Sequence, residues 1–317
     1  MKPSRRDDQR AGRPAGRSAR AAQPAPDVEG DNPALFEGKH SVELLKALHI
    51  LTREGKLNQD SRRKLKQVQH LVQFIAPLIQ ALPDGGAHAT LADHGAGKSY
   101  LGFLLYDQFY RDLPTGQIFG IETRPELVAH SQDLAQRLHF VRMQFLAMRV
   151  DEATTDTRLP ERIDVVTALH ACDTATDDAI AFGLAKRARA MVLVPCCQAE
   201  VARVLNAGKA LALSRTPLAE LWRRPLHTRE LGSQITNVMR CLYLEAMGYR
   251  VTVTELVGWE HSMKNELILA EYTGQKKRSA AERLHVLLAE FGLQSLQATR
   301  FAGLGEAEPG TEVNPAA

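Results

Sequence analysis

Cysteine is scarce in this chain. Four thiols, Cys172, Cys196, Cys197 and Cys241, spread through 317 residues are too few to staple a fold of this size. None is spaced C-x-x-C, so neither a disulfide framework nor a zinc ribbon is expected. A reducing cytoplasm is the expected compartment. Long apolar runs are lacking too. No stretch reaches the roughly 18 residues that a membrane helix needs, and the basic N-terminus has no apolar core of the secretory kind. No internal repeat is present. What remains is ordinary for a globular protein, with 44% hydrophobic and 24% charged residues.

The formal net charge of +3 is unevenly placed. The first twenty residues hold seven basic side chains (Lys2, Arg5, Arg6, Arg10, Arg13, Arg17, Arg20) against Asp7 and Asp8, so the body of the chain is near neutral. Such an arm suits nucleic acid, although a solvated, disordered extension rich in Arg, Ala, Gly and Pro is the simpler reading. Residues 1–32 and the tail 303–317 are expected to be disordered. A helical extension, 33–84, follows the arm. Its strongest helix, from about Asp60 to Leu82, spaces Leu65, Val68, Leu71, Val72, Ile75, Leu78, Ile79 and Leu82 three and four apart. Arg62, Arg63, Lys64 and Lys66 crowd its first turns.

Alternating β and α signals fill 85–275. Strands are expected at Thr90–Asp93, Ile118–Glu122, Met143–Met148, Asp164–Leu169 and Ala190–Pro195. Helices separate them, with Thr123 and Thr174 as N-caps at capping-box spacing. Strands separated by helices imply parallel βαβ units. The last two strands, Arg250–Val257 and Leu267–Tyr272, are joined by only nine residues. A parallel crossover needs a dozen or more, so this pair is expected to be antiparallel. The fold class is therefore α/β: a doubly wound, mostly parallel seven-stranded sheet ending in an antiparallel hairpin, with N-terminal helices and a C-terminal helix in 276–302.

The informative loop is Asp93-His-Gly-Ala-Gly-Lys-Ser99. A strand ends in an acid, two glycines follow and a helix begins, which lets backbone approach a ligand. Ala92-x-x-x-x-Gly97-Lys98-Ser99 is a relaxed phosphate-loop pattern, but no strand end offers the magnesium-binding Asp that such a loop requires. A dinucleotide fingerprint fails at its third position, occupied by the bulky Tyr100. Glu122 ends the second strand 25 positions after Gly97, where an acid bonds a free ribose diol. Asp93-x-Gly95-x-Gly97 resembles the first motif of class I S-adenosylmethionine-dependent methyltransferases.

A second constellation sits at neighbouring strand ends: Leu169-His-Ala-Cys-Asp-Thr-Ala-Thr-Asp177 and Val194-Pro-Cys-Cys-Gln198. Together with the glycine loop these segments resemble the methyltransferase domain family of glutathione-S-transferase C-terminal-domain-containing and ribosomal-RNA adenine dimethylase-like proteins. Asp173 and Ser99 depart from the pattern, both at positions commonly Gly. The resemblance implies S-adenosyl-L-methionine as cofactor. On that reading Gly95 and Gly97 form the cofactor turn, Asp93 meets the methionine moiety, Glu122 the ribose and Asp151 the adenine amine. His170 and Asp173 are the candidates near the transferred methyl. The cysteines stand open as buried fillers, as shapers of an acceptor pocket or, least favoured, as zinc ligands with His170; no metal is expected. RNA is the leading acceptor, reached through the basic arm, with protein or a small molecule as the others. A degenerate methyltransferase fold kept as a binding or scaffold module is the competing class, with a phosphate-loop nucleotide-binding enzyme as the remaining alternative.

Overall fold

The computed structural model describes residues 41–56, 59–169, 171–195, 198–208, 217–256 and 266–304. The expected arm, the His170 position, Cys196, Cys197 and the loop before the last strand lie outside the described residues. Residues 39–317 form one compact unit.

Seven strands make one sheet: β1 (Thr90–His94), β2 (Gln117–Glu122), β3 (Met143–Ala147), β4 (Val165–Leu169), β5 (Ala190–Val194), β6 (Tyr249–Glu255) and β7 (Glu266–Tyr272), in the order β3-β2-β1-β4-β5-β7-β6. The first five are parallel. β7 runs antiparallel to both β5 and β6, as the short final connection requires. The order turns back at β1, where connections leave in opposite directions for β2 and β4. Ligands in such sheets bind at this reversal, outside the carboxyl ends of the strands.

The helices are α1 (Val42–Ala47), α2 (Gln59–Gln80), α3 (Tyr100–Leu105), α4 (Pro125–Arg137), α5 (Val150–Thr155), α6 (Ala175–Ala185), α7 (Glu200–Gly208), α8 (Pro225–Ala246), α9 (Arg278–Glu290) and α10 (Gln297–Arg300). α2 carries Pro77 in its interior, and Leu65, Val68, Leu71, Val72, Ile75 and Ile79 are buried, as the spacing predicts. One apolar core runs from β1 (Ala92) through β2, β4 and β5 to α8 and on to Leu284, Leu288, Leu293, Leu296 and Phe301. No helix among the described residues is long and apolar enough to cross a membrane.

Several helix ends differ from the local reading. The N-cap of α4 is Arg124, with Pro125 as its first residue and no side-chain cap bond; the Thr123 hydroxyl is turned to Glu122 Oε1 at 3.3 Å. Thr174 makes no cap bond either. α6 ends at Ala185, because Arg187 takes a left-handed turn (φ 52°) that redirects the chain into β5. α8 begins at Pro225, whose fixed φ suits a first helical turn. After α3 the chain continues as a π-type turn from Tyr106 to Tyr110.

Candidate functional site

The turn after β1 alternates hand. Gly95 (φ 63°), Gly97 (φ 58°) and Ser99 (φ 52°) are all left-handed. Glycine takes this conformation freely, while serine is strained in it. Ser99 is fully buried with its hydroxyl unpartnered among the described residues. A Cβ on Gly102 would lie 2.6 Å from that Oγ, so the hydroxyl occupies the space the glycine leaves, and it is not turned outward as a phosphate loop needs. A Cβ built on Gly95 meets no atom within 4 Å. The outer side of the turn is therefore open to a ligand.

Under the turn lies Asp93, almost wholly buried. Thr167, its register partner on β4, donates to Asp93 Oδ1 at 2.7 Å. Burial raises the Asp93 carboxyl to about 7, the Thr167 bond pulls the other way, and the nearby Glu122 charge adds to the rise. The next side chain, His94, points to the opposite face. Its ring meets Phe182 edge-on at 4.3 Å, and among the described residues neither ring nitrogen has a hydrogen-bond partner. Burial pushes this imidazole down to about 3.

Glu122 is built into the turn. Its Oε2 accepts the Gly97 amide at 2.8 Å. Arg124 donates from its backbone, Nε and Nη2, at 3.2, 3.0 and 3.2 Å. Burial works to raise the Glu122 carboxyl, yet the bonds from Arg124 and Gly97 outweigh it and hold it below the usual carboxylate value. The Arg124 side chain is 59% exposed, so its fork can swing out and free the carboxylate. The open glycine turn, the buried acid beneath it and an acid at the end of β2 fit a nucleoside with a free ribose diol.

Asp151 stands in the first turn of α5 and pairs with Arg149 at 3.0 Å, its side chain 70% exposed. Asp173 is left-handed (φ 51°). Its Oδ1 accepts the Ala199 and Glu200 amides at 2.9 and 3.0 Å, and Arg203 Nη2 reaches Oδ2 at 2.9 Å. That carboxylate thus caps α7. Cys172 is exposed. Among the described residues no group of three His, Cys, Asp or Glu side chains is arranged to hold a metal. Asp93, Glu122 and Gly97 are brought together as the loop pattern suggests; Asp151 and Asp173 stand on the same sheet edge with protein partners. Thr167, Arg124 and the buried Arg240 were not legible, since their partners are set by strand register or lie far off in sequence.

Residues 63–204 match the model of a methyltransferase domain. This stretch, under half of the chain, is similar to a methyltransferase domain. The cofactor of class I methyltransferases is S-adenosyl-L-methionine. The two strands that complete the methyltransferase sheet, β6 and β7, lie beyond the matched stretch. The match is to the domain as such and does not reach the narrower likeness to glutathione-S-transferase C-terminal-domain-containing proteins. No curated protein matches the sequence. Similar solved structures include the magnesium protoporphyrin IX methyltransferase of Synechocystis PCC 6803 with bound SAH, at 14% identity and TM-score 0.43, covering 72% of this chain and 94% of that one. The CMeT domain of the citrinin polyketide synthase has 14% identity and TM-score 0.43 over 76% and 67%. An rRNA methylase from Streptococcus thermophilus has 10% identity and TM-score 0.37 over 63% and 95%.

Proposed function

We propose that this methyltransferase acts on RNA and lays its cofactor over the Gly95–Gly97 turn, with Asp93 under the methionine moiety, Glu122 on the ribose and Asp151 toward the adenine amine. The observation that carries the cofactor placement is the 2.8 Å bond from the Gly97 amide to Glu122, which locks the diol-binding acid to an outwardly open turn. RNA as acceptor is supported by the seven basic residues of the first twenty and by Arg62, Arg63, Lys64 and Lys66 at the start of α2.

The cofactor supplies an activated methyl on a sulfonium. The chain's own task is to orient the acceptor, exclude water and receive any proton released. His170, directly after β4, is the proposed proton acceptor. Asp173, whose carboxylate is spent on α7, is proposed to hold the loop that carries His170. The competing reading, a fold kept as a binding module, draws on Arg124, which already occupies the Glu122 carboxylate.

Calorimetry with S-adenosylmethionine and its demethylated product separates the two readings. We expect micromolar binding by the wild type and at least a tenfold loss in Asp93→Asn. No binding by the wild type would leave the binding module. The acceptor is tested by mass spectrometry of total RNA and protein from cells with and without the gene; a methyl mark that disappears from protein and not from RNA would sink the RNA assignment.

A further inference from the structure

Arg240 on α8 is the largest fully buried side chain among the described residues. A buried guanidinium persists only when its charge and its donors are matched. Here Nε and Nη2 grip Asp177 Oδ1 and Oδ2 at 2.8 and 2.6 Å, and Nη1 reaches Asn237 Oδ1 at 3.0 Å. Nη2 makes one bond more, to the backbone carbonyl of Asp173 at 2.8 Å. That bond neutralises nothing. It fastens a left-handed residue in the loop that leaves β4. The same residue is held from its other side, since its carboxylate caps α7.

The network continues past the ion pair. Asn237 Nδ2 donates to Glu266 Oε2 at 2.5 Å, Gln198 Nε2 donates to Asn237 Oδ1 at 3.4 Å, and Ser233 Oγ donates to Gln198 Oε1 at 2.5 Å. One connected set of bonds therefore joins the segment after β4, the segment after β5 and the first residue of β7. These three border the crevice on the side away from β2. The cofactor turn takes no bond from this set.

We propose that Arg240 is a positioning residue for methyl transfer: by holding the Asp173 carbonyl and the first turn of α6 it fixes the loop leaving β4, and with it the approach of the acceptor, without touching cofactor or acceptor. The inference rests on the methyltransferase reading of the site. In-line transfer is sensitive to placement, and an error of about 1 Å costs on the order of a hundredfold in rate. A planar fork sets both distance and orientation, which a lysine ammonium does not.

Three variants test this: Arg240→Lys, Arg240→Met and the double variant Asp177→Leu with Arg240→Met. The single Met variant strands the Asp177 charge and is expected to lower the urea midpoint. The double variant removes both charges, and replacing a buried pair by apolar residues commonly restores stability. Each is measured for urea midpoint, for affinity toward S-adenosylhomocysteine by calorimetry, and for tritium transfer from labelled S-adenosylmethionine into an extract of cells lacking the gene. We expect the double variant to recover the midpoint and to keep its affinity within about threefold, while transfer falls about thirtyfold or more. Arg240→Lys should lose about tenfold in rate at unchanged affinity. Wild-type transfer by the double variant, or by Arg240→Lys should the double not fold, overturns the role. So does a loss of affinity in step with the rate. A wild type that binds no S-adenosylhomocysteine overturns the cofactor reading itself, which is a separate and recognisable failure.

Discussion

Asp93 and His94 are neighbours on β1, buried on opposite faces, and burial shifts them in ways that oppose each other. His94 is held near 3 in the folded chain against about 6.5 when unfolded. As pH falls from 6.5 toward 3 the unfolded chain takes up a proton that the folded chain refuses, so this stability is present above 6.5 and is lost on acidification. Asp93, raised to about 7, ionises near 3.9 when unfolded. As pH rises from 4 toward 7 the unfolded chain releases a proton that the folded chain keeps, so stability falls with rising pH. Between pH 4 and 6.5 the two trends largely cancel. His94→Leu should therefore leave a stability that declines as pH rises through this window, with a slope of at most about 1.4 kcal/mol per pH unit for one proton. Asp93→Asn should leave the reverse slope. Urea midpoints at pH 4.5, 5.5 and 6.5 check both; flat profiles in both variants would refute the opposition.

At the scale of elements, the strands were legible because each is a short apolar run bounded by turn residues, and the antiparallel end followed from one short connection. Helix ends were not. Thr123 has the right type and spacing for a cap, but the buried Glu122 competes for its hydroxyl. α7 had no visible cap, because its cap is the Asp173 carboxylate, 26 positions before Ala199. Arg240 reads as one polar residue in a helix until Asp177, 63 positions away, is set against it. Of the candidate site, the turn and its two acids were readable because they lie on consecutive elements. The same separation governs how α7 meets α8. A Cβ on Gly232 would stand 2.9 Å from the Ala202 backbone nitrogen and 3.1 Å from its Cα. In an exposed helix Gly→Ala gains about 1 kcal/mol. Here backbone is the obstacle, so Gly232→Ala should instead cost about 1–3 kcal/mol, with cofactor affinity unchanged. Chemical denaturation and calorimetry on the same sample check both halves.

The whole molecule is held together well past the stretch that matches the methyltransferase domain. That stretch ends at residue 204, inside α7, yet β5 needs β7 on its other side and β7 needs β6. A folding boundary near residue 275 suits the sheet, which is complete there, but not the core. α9 and the segment after it bury Leu284, Leu288, Leu293, Leu296 and Phe301 against the same apolar body as β4 and β5. At about 1.5–3 kcal/mol for each such side chain, their combined loss is comparable to the entire stability of about 5–15 kcal/mol of a typical domain. Polar ties reinforce the closure: Arg300 grips Glu200 of α7 through two bonds of 2.8 Å, and the Tyr243 hydroxyl donates to the Ala302 carbonyl at 2.7 Å. A chain ending at Gln275 is therefore expected to be insoluble or unfolded, even though every strand, Asp93 and Glu122 are retained. Arg300→Ala, which removes one tie and leaves the core, should cost only about 1–2 kcal/mol and keep cofactor binding. Circular dichroism and size-exclusion chromatography of the two proteins side by side decide it. A folded, cofactor-binding 1–275 chain would mean that the C-terminal helices cover the methyltransferase core without being needed to form it.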